Sequence, residues 1–166
     1  MQADTPFKPI AFTLDGKPFE VVVDPNTPLL SILREDAGRL GVRPGCLLGR
    51  CGSCMVLVDG RPMQSCSTPA WSIEGRHIAT IEGALPGSWM ERVRQVFLEE
   101  QAAQCGYCVN GIMTTVASCL DRPEPPDREQ IIKQLDHNHL CRCGAHVRML
   151  RAIDRLIAEA RQKAAA

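Results

Sequence analysis

GCLLGRCGSCMVLVDGRPMQSC, residues 45–66, places four cysteines at intervals of 4, 2 and 11 residues. Three of them, Cys46, Cys51 and Cys54, crowd one glycine-punctuated loop. MVLV (55–58) and RPMQS (61–65) then flank Asp59-Gly60, a dipeptide that strongly favours a tight two-residue hairpin turn. The hairpin brings Cys66 back beside the loop. Gly45, Gly49 and Gly52 give the chain places to take positive φ and to turn several backbone N–H groups toward one centre. Thiolates around a metal core carry net negative charge, which is costly to bury without such donors. The stretch reads as a metal-binding loop riding on a β-hairpin.

Upstream, IAFTLDGKPFEVVV (10–23) alternates polar and apolar residues in two β-prone runs joined by Asp15-Gly16, predicting a further hairpin. After Pro28, the residues Leu29, Leu30, Ile32 and Leu33 suit one face of a short helix ending near Gly38 and Gly41. IATIE (78–82) reads as another strand. From Ser88 the period becomes helical: Ser88 and Glu91 have capping-box spacing before VRQVFLEEQAA, and Asp127 and Gln130 repeat it before IIKQL. Val109 to Leu120 forms a second helical run, and VRMLRAIDRLIAEARQKAAA (147–166) a last, amphipathic one. The shift at Gly-Ala-Leu-Pro-Gly-Ser (83–88) predicts two domains, 1–84 β-rich and 85–166 helical.

The helical half has its own quartet, Cys105-x2-Cys108 and Cys141-x-Cys143, in two interhelical breaks. By spacing alone, zinc and iron–sulfur fit it equally, and either would staple a small bundle. With nine cysteines in 166 residues, a disulfide scaffold is the other general account, but it calls for an even count and an export signal. The N-terminus MQADTPFKPI has no basic-then-apolar layout, and no run approaches the roughly 20 apolar residues of a membrane span. The expectation is a soluble, unprocessed, cytoplasmic chain with no direct membrane insertion. Nineteen basic residues balance nineteen acidic ones, so no basic field is available to hold a nucleic-acid backbone.

Cys46-x4-Cys51-x2-Cys54 matches the opening of the plant-type ferredoxin pattern for a [2Fe–2S] cluster. Cys66 follows sooner than a simple plant ferredoxin places its fourth ligand, which points to a variant fold. A ferredoxin-type loop in the same chain makes an electron relay the economical reading of the second quartet too. Taken in order, GCLLGRCGSCMVLVDGRPMQSC, QCGYC and NHLCRCG resemble the iron–sulfur subunit of the molybdenum hydroxylases, the xanthine and aldehyde oxidase family, over nearly the whole chain.

The resemblance implies an α+β architecture, with an N-terminal β-grasp ferredoxin-like domain followed by a C-terminal four-helix-bundle domain and one [2Fe–2S] cluster in each. It implies that Cys46, Cys51, Cys54 and Cys66 hold the outer cluster. Cys105, Cys108, Cys141 and Cys143 would hold the cluster nearest molybdenum, with Gln104 and Cys143 against the pterin. It further implies a large partner subunit that binds molybdopterin, with a flavin subunit or cytochrome serving as acceptor. Leu47 where glycine is common, Val109-Asn110 for Thr-Pro, and Gly144-Ala145-His146 for Thr-Gly-Tyr depart from the family pattern without removing a ligand. The function implied is single-electron transfer within a hydroxylase or dehydrogenase of N-heterocycles or aldehydes. A free-standing ferredoxin and a zinc-stapled interaction module are the alternatives. No paired carboxylates, Ser/His/Asp set or activated thiol suggests a substrate-converting site.

The remaining residues have structural readings. Cys119, inside an apolar helical run, is read as core; His77, His137, His139 and His146 as surface or supporting groups; Trp71 and Trp89 as core packing. Arg142, between two ligands, is expected to meet the cluster's charge.

Overall fold

The computed structural model describes residues 7–165; the reading of residues 1–6 as free of a leader, and Ala166, lie outside them. Five strands, β1 (Lys8–Leu14), β2 (Lys17–Val23), β3 (Met55–Val58), β4 (Arg61–Gln64) and β5 (His77–Ala79), form one sheet in the order β2-β1-β5-β3-β4. β1 runs parallel to β5, and the other neighbours are antiparallel. Both hairpins turn on Asp-Gly, with φ of 51° and 78° at Asp15 and Gly16 and of 48° and 77° at Asp59 and Gly60. Two positive φ values match the right-handed twist of the strands they join.

α1 (Leu29–Ser31) passes directly into a π-helical turn, Ile32–Asp36, and crosses one face of the sheet. Leu29, Leu30, Ile32 and Leu33 pack there against Ile10, Phe12, Leu14, Val56, Val58 and Ile78. This is the β-grasp arrangement. The helical half is α2 (Trp89–Glu99), α3 (Val109–Leu120), α4 (Arg128–Asn138) and α5 (His146–Ala164). Every residue of α3 from Gly111 to Leu120 is buried, because α3 is wrapped by the other helices and by the sheet. α5 buries Met149, Ala152, Ile153, Leu156, Ile157 and Ala160 along one stripe. α4 opens on the full capping box predicted; at α2 the Glu91 carboxylate reaches one residue further back, to the Gly87 N–H at 2.8 Å.

The two cores meet at β3. Val56 and Val58 face α1, whereas Leu57 packs with the helical core. A strand covered on both faces needs no polar alternation, which accounts for the run MVLV. The strand expected at 78–82 stops at Ala79. Its next N–H, from Thr80, is taken by Asp15 Oδ1 at 2.7 Å rather than by a neighbouring strand, and Ile81 turns into the helical core. Trp71 is not core packing: it is 60% exposed on a 3₁₀ turn. Trp89 does pack on the helical core, with the Lys163 ammonium 5.5 Å from its ring centre.

Candidate metal centres

All nine cysteines are free thiols. Three of the first quartet, Cys46, Cys51 and Cys54, stand on the loop that precedes β3. The Arg43 N–H donates to Ser53 O at 3.2 Å and closes the loop on itself. Leu47, Gly49 and Gly52 take positive φ (56°, 66° and 71°), so that a leucine adopts the conformation glycine usually supplies. This turns the N–H groups of Leu48, Arg50 and Cys51 inward, each donating to Cys46 Sγ at 3.3 Å. Cys46 N–H donates to Cys51 Sγ at 3.3 Å in return.

The electrostatics follow from these donors. The N–H groups of Leu48 and Arg50 draw the Cys46 pKa down to about 6. Cys54, buried beside Cys66, is pushed up to about 11 by burial. Cys46 contacts Cys51, and Cys54 contacts Cys66. Cys66 arrives on a 3₁₀ turn after β4, as the hairpin predicts.

The second quartet joins two interhelical breaks. Cys105 and Cys108 lie between α2 and α3, and Cys141 and Cys143 between α4 and α5. Cys105 contacts Cys143, and Cys108 contacts Cys141. Cys108, at the start of α3, is pushed up to about 12, first by burial and then by the Cys141 thiol. Burial opposes ionisation of Cys141, but the Ala145 N–H, the Cys108 thiol and the Gly144 and Cys143 N–H groups outweigh it and hold its pKa below the usual value. Cys105 and Gln104 are exposed, so this site opens on one side to whatever covers it.

Both quartets are arranged in twos. A binuclear [2Fe–2S] centre takes two thiolates at each iron. The pairs, and the N–H groups aimed at Cys46 and Cys141, fit that group.

The two sites are tied to each other. Leu140 N–H, next to Cys141, donates to Cys51 O at 3.1 Å. Asn110 Nδ2 donates to Gly41 O at 3.0 Å, and the Tyr107 hydroxyl donates to Pro44 O. The His139 ring lies against Gly52, its Nε2 2.8 Å from Thr115 Oγ1 and its Nδ1 buried without a partner. Burial lowers its pKa to about 4, so the ring is neutral at pH 7. His137, His77 and His146 are exposed, as is Arg142, and Cys119 is buried core.

Arg43, Tyr107, Asn110 and the Gly52–Gly111 contact are not evident in the sequence. Only Gly111, a glycine inside a helix, leaves a signal there. A Cβ at Gly111 would run into the Gly52 carbonyl oxygen. Gly111→Ala is therefore expected to cost about 1–3 kcal/mol, although alanine favours a helix by up to about 1 kcal/mol over glycine. Thermal unfolding followed by circular dichroism decides between them; a variant as stable as the parent contradicts the close approach.

Residues 12–80 match a domain family described as 2Fe-2S iron–sulfur cluster binding, and residues 80–154 one described as [2Fe-2S] binding. The chain is 49% identical to a subunit of the nicotinate dehydrogenase of Pseudomonas putida, over 93% of this chain and 97% of that one. The crystal structure of quinoline 2-oxidoreductase from Pseudomonas putida 86 superposes with a TM-score of 0.83 at 36% identity, covering 95% of this chain and 98% of that chain. Aldehyde oxidoreductase from Desulfovibrio gigas gives a TM-score of 0.83 at 28% identity over 94% of this chain, but only 17% of its own.

Proposed function

Because the chain belongs to the iron–sulfur subunits of the molybdenum hydroxylases, we propose that it relays single electrons from a molybdenum–pterin site, held by a larger partner, to a downstream acceptor. Two quartets of cysteines, each arranged as two thiol pairs and joined by direct hydrogen bonds, carry this reading. In it, Cys46 and Cys51 hold one iron of the first cluster and Cys54 and Cys66 the other. Cys105 with Cys143 and Cys108 with Cys141 do the same for the second. The chain divides at 84/85 into one binding unit for each.

A [2Fe–2S] cluster held at each site takes up and gives off one electron at a time. The protein supplies the surroundings. N–H groups on Cys46 and Cys141 stabilise negative charge on sulfur, and burial of Cys54 and Cys108 keeps water from the inner edges of both sites. The Leu140-to-Cys51 hydrogen bond links the two ligand loops, one residue from Cys141.

The open edge, with Gln104, Cys105 and Cys143, is where this reading places the pterin of the partner. That the matching part is only 17% of the aldehyde oxidoreductase chain supports a larger catalytic body as the partner. The nicotinate dehydrogenase relative supports an N-heteroaromatic carboxylate as the substrate converted there, and a flavin subunit or cytochrome is the acceptor proposed. No described helix is long and apolar enough to cross a membrane.

The test is turnover by the purified, iron-loaded chain. Once reduced, it should pass electrons to artificial dyes and oxidise no nicotinate, whereas co-expression with a large molybdopterin subunit should give a stable complex that does. Substrate oxidation by the chain alone contradicts the proposal.

A further inference from the structure

Arg43 lies three residues before Cys46, yet its guanidinium crosses to the other site. Its Nη1 donates to Gly106 O at 2.9 Å, between Cys105 and Cys108 in sequence. Its Cζ stands 5.6 Å from the centre of the Tyr107 ring, and Tyr107 returns a hydrogen bond to Pro44 O. The Arg43 N–H is meanwhile fixed to Ser53 O inside the first ligand loop. Backbone and side chain thus grip one site each.

Among the described residues Arg43, like several other arginines, has no carboxylate at ion-pair distance. No carboxylate neutralises its charge, which stands against the Cys105–Cys108 turn at Gly106.

We propose that Arg43 is a positioning residue between the two clusters, locking the Cys105 loop to the Cys46 loop and holding the helical-domain cluster at a more positive potential. This rests on the electron-relay reading. A reduced cluster carries one more negative charge than an oxidised one, and a fixed cation nearby favours that state. An electron passing from the helical site to the N-terminal site subtracts one negative charge from the first and adds it to the second, with no bond or proton exchanged. Arg43 therefore helps decide which site keeps the electron at rest.

The experiment is a redox titration of the full, iron-loaded chain followed by electron paramagnetic resonance, comparing wild type with Arg43→Gln and Arg43→Lys. In Arg43→Gln, the reduced-to-oxidised ratio of the helical-site signal at a fixed potential should fall by roughly three- to tenfold; tenfold equals about 59 mV for a one-electron couple. The N-terminal signal should move less. Arg43→Lys should keep the helical-site ratio within about twofold of wild type, since the charge remains.

Equal movement in both variants, or none in either, overturns the proposal, as does loss of the helical-site signal from both, which would make Arg43 a folding residue only. Loss from Arg43→Gln with Arg43→Lys intact supports a need for the charge. A wild-type chain without two signals is a separate result, and it defeats the relay reading itself.

Discussion

Cys108→Ala should leave a folded, coloured protein with one electron paramagnetic resonance signal instead of two and about two irons per chain instead of about four. Cys108 heads α3 and is 7% exposed, so no outside thiol or water has ready access to the iron it would bind. Its partner Cys141 would be left alone on that iron. The N-terminal quartet shares no residue with this site, and its four thiols are held by a loop and hairpin packed against α1 and the sheet. Its signal should survive unchanged in shape. Cys119→Ala is the matched control: that cysteine lies in α3 itself and is also buried, but it has no thiol partner. It should keep all its iron. Loss of both signals from Cys108→Ala, or of either from Cys119→Ala, contradicts two independent quartets.

Asp15→Ala should destabilise the chain by about 3 kcal/mol or more, read as a lowered denaturant midpoint with unchanged slope. The Asp15 carboxylate is nearly enclosed and accepts from Thr80 N–H at 2.7 Å, Thr80 Oγ1 at 3.0 Å and Arg39 Nε at 2.7 Å. Thr80 is fully buried. Truncation strands its N–H and hydroxyl in the seam between the two cores, and a buried donor without an acceptor bears its full desolvation cost. Asp15→Asn keeps one acceptor oxygen for the Thr80 N–H and should recover part of the loss. A midpoint unchanged in Asp15→Ala would mean that the seam is held by apolar packing alone.

The same seam shows what the sequence can and cannot disclose. The Asp-Gly turns, the loop glycines and the cap at Asp127 act within a few residues of themselves, so their geometry is written locally. β3 is legible as a strand, but that its second face meets α3 requires knowing where residues fifty positions later go. The end of β5 is hidden because Thr80 is β-prone yet meets a carboxylate sixty-five positions away. Trp71 defeats the expectation of burial because bulk and apolarity do not say which side of a 3₁₀ turn faces out.

Both quartets are legible as candidate metal sites, since thiols at such spacings have few other uses. How the thiols pair is not, because pairing joins Cys54 to Cys66 across a hairpin and Cys108 to Cys141 across two helices. Arg43 is the extreme case. One arginine among many in composition, it gains its role from a carbonyl sixty-three residues downstream. The leucine at position 47 is visible as a departure from the family pattern; the structure adds that the loop keeps its positive φ there regardless. The N–H groups aimed at Cys46 demand that conformation whatever side chain occupies the turn.

Everything proposed for this chain depends on eight of its cysteines holding two separate two-iron clusters. Metal and acid-labile sulfide analysis of the anaerobically purified protein, with an electron paramagnetic resonance spectrum after dithionite reduction, tests this most directly. About four irons and four sulfides per chain with two distinct signals are the predicted result. Zinc in place of iron, or iron without sulfide, or a single signal from a fully loaded chain, would contradict it.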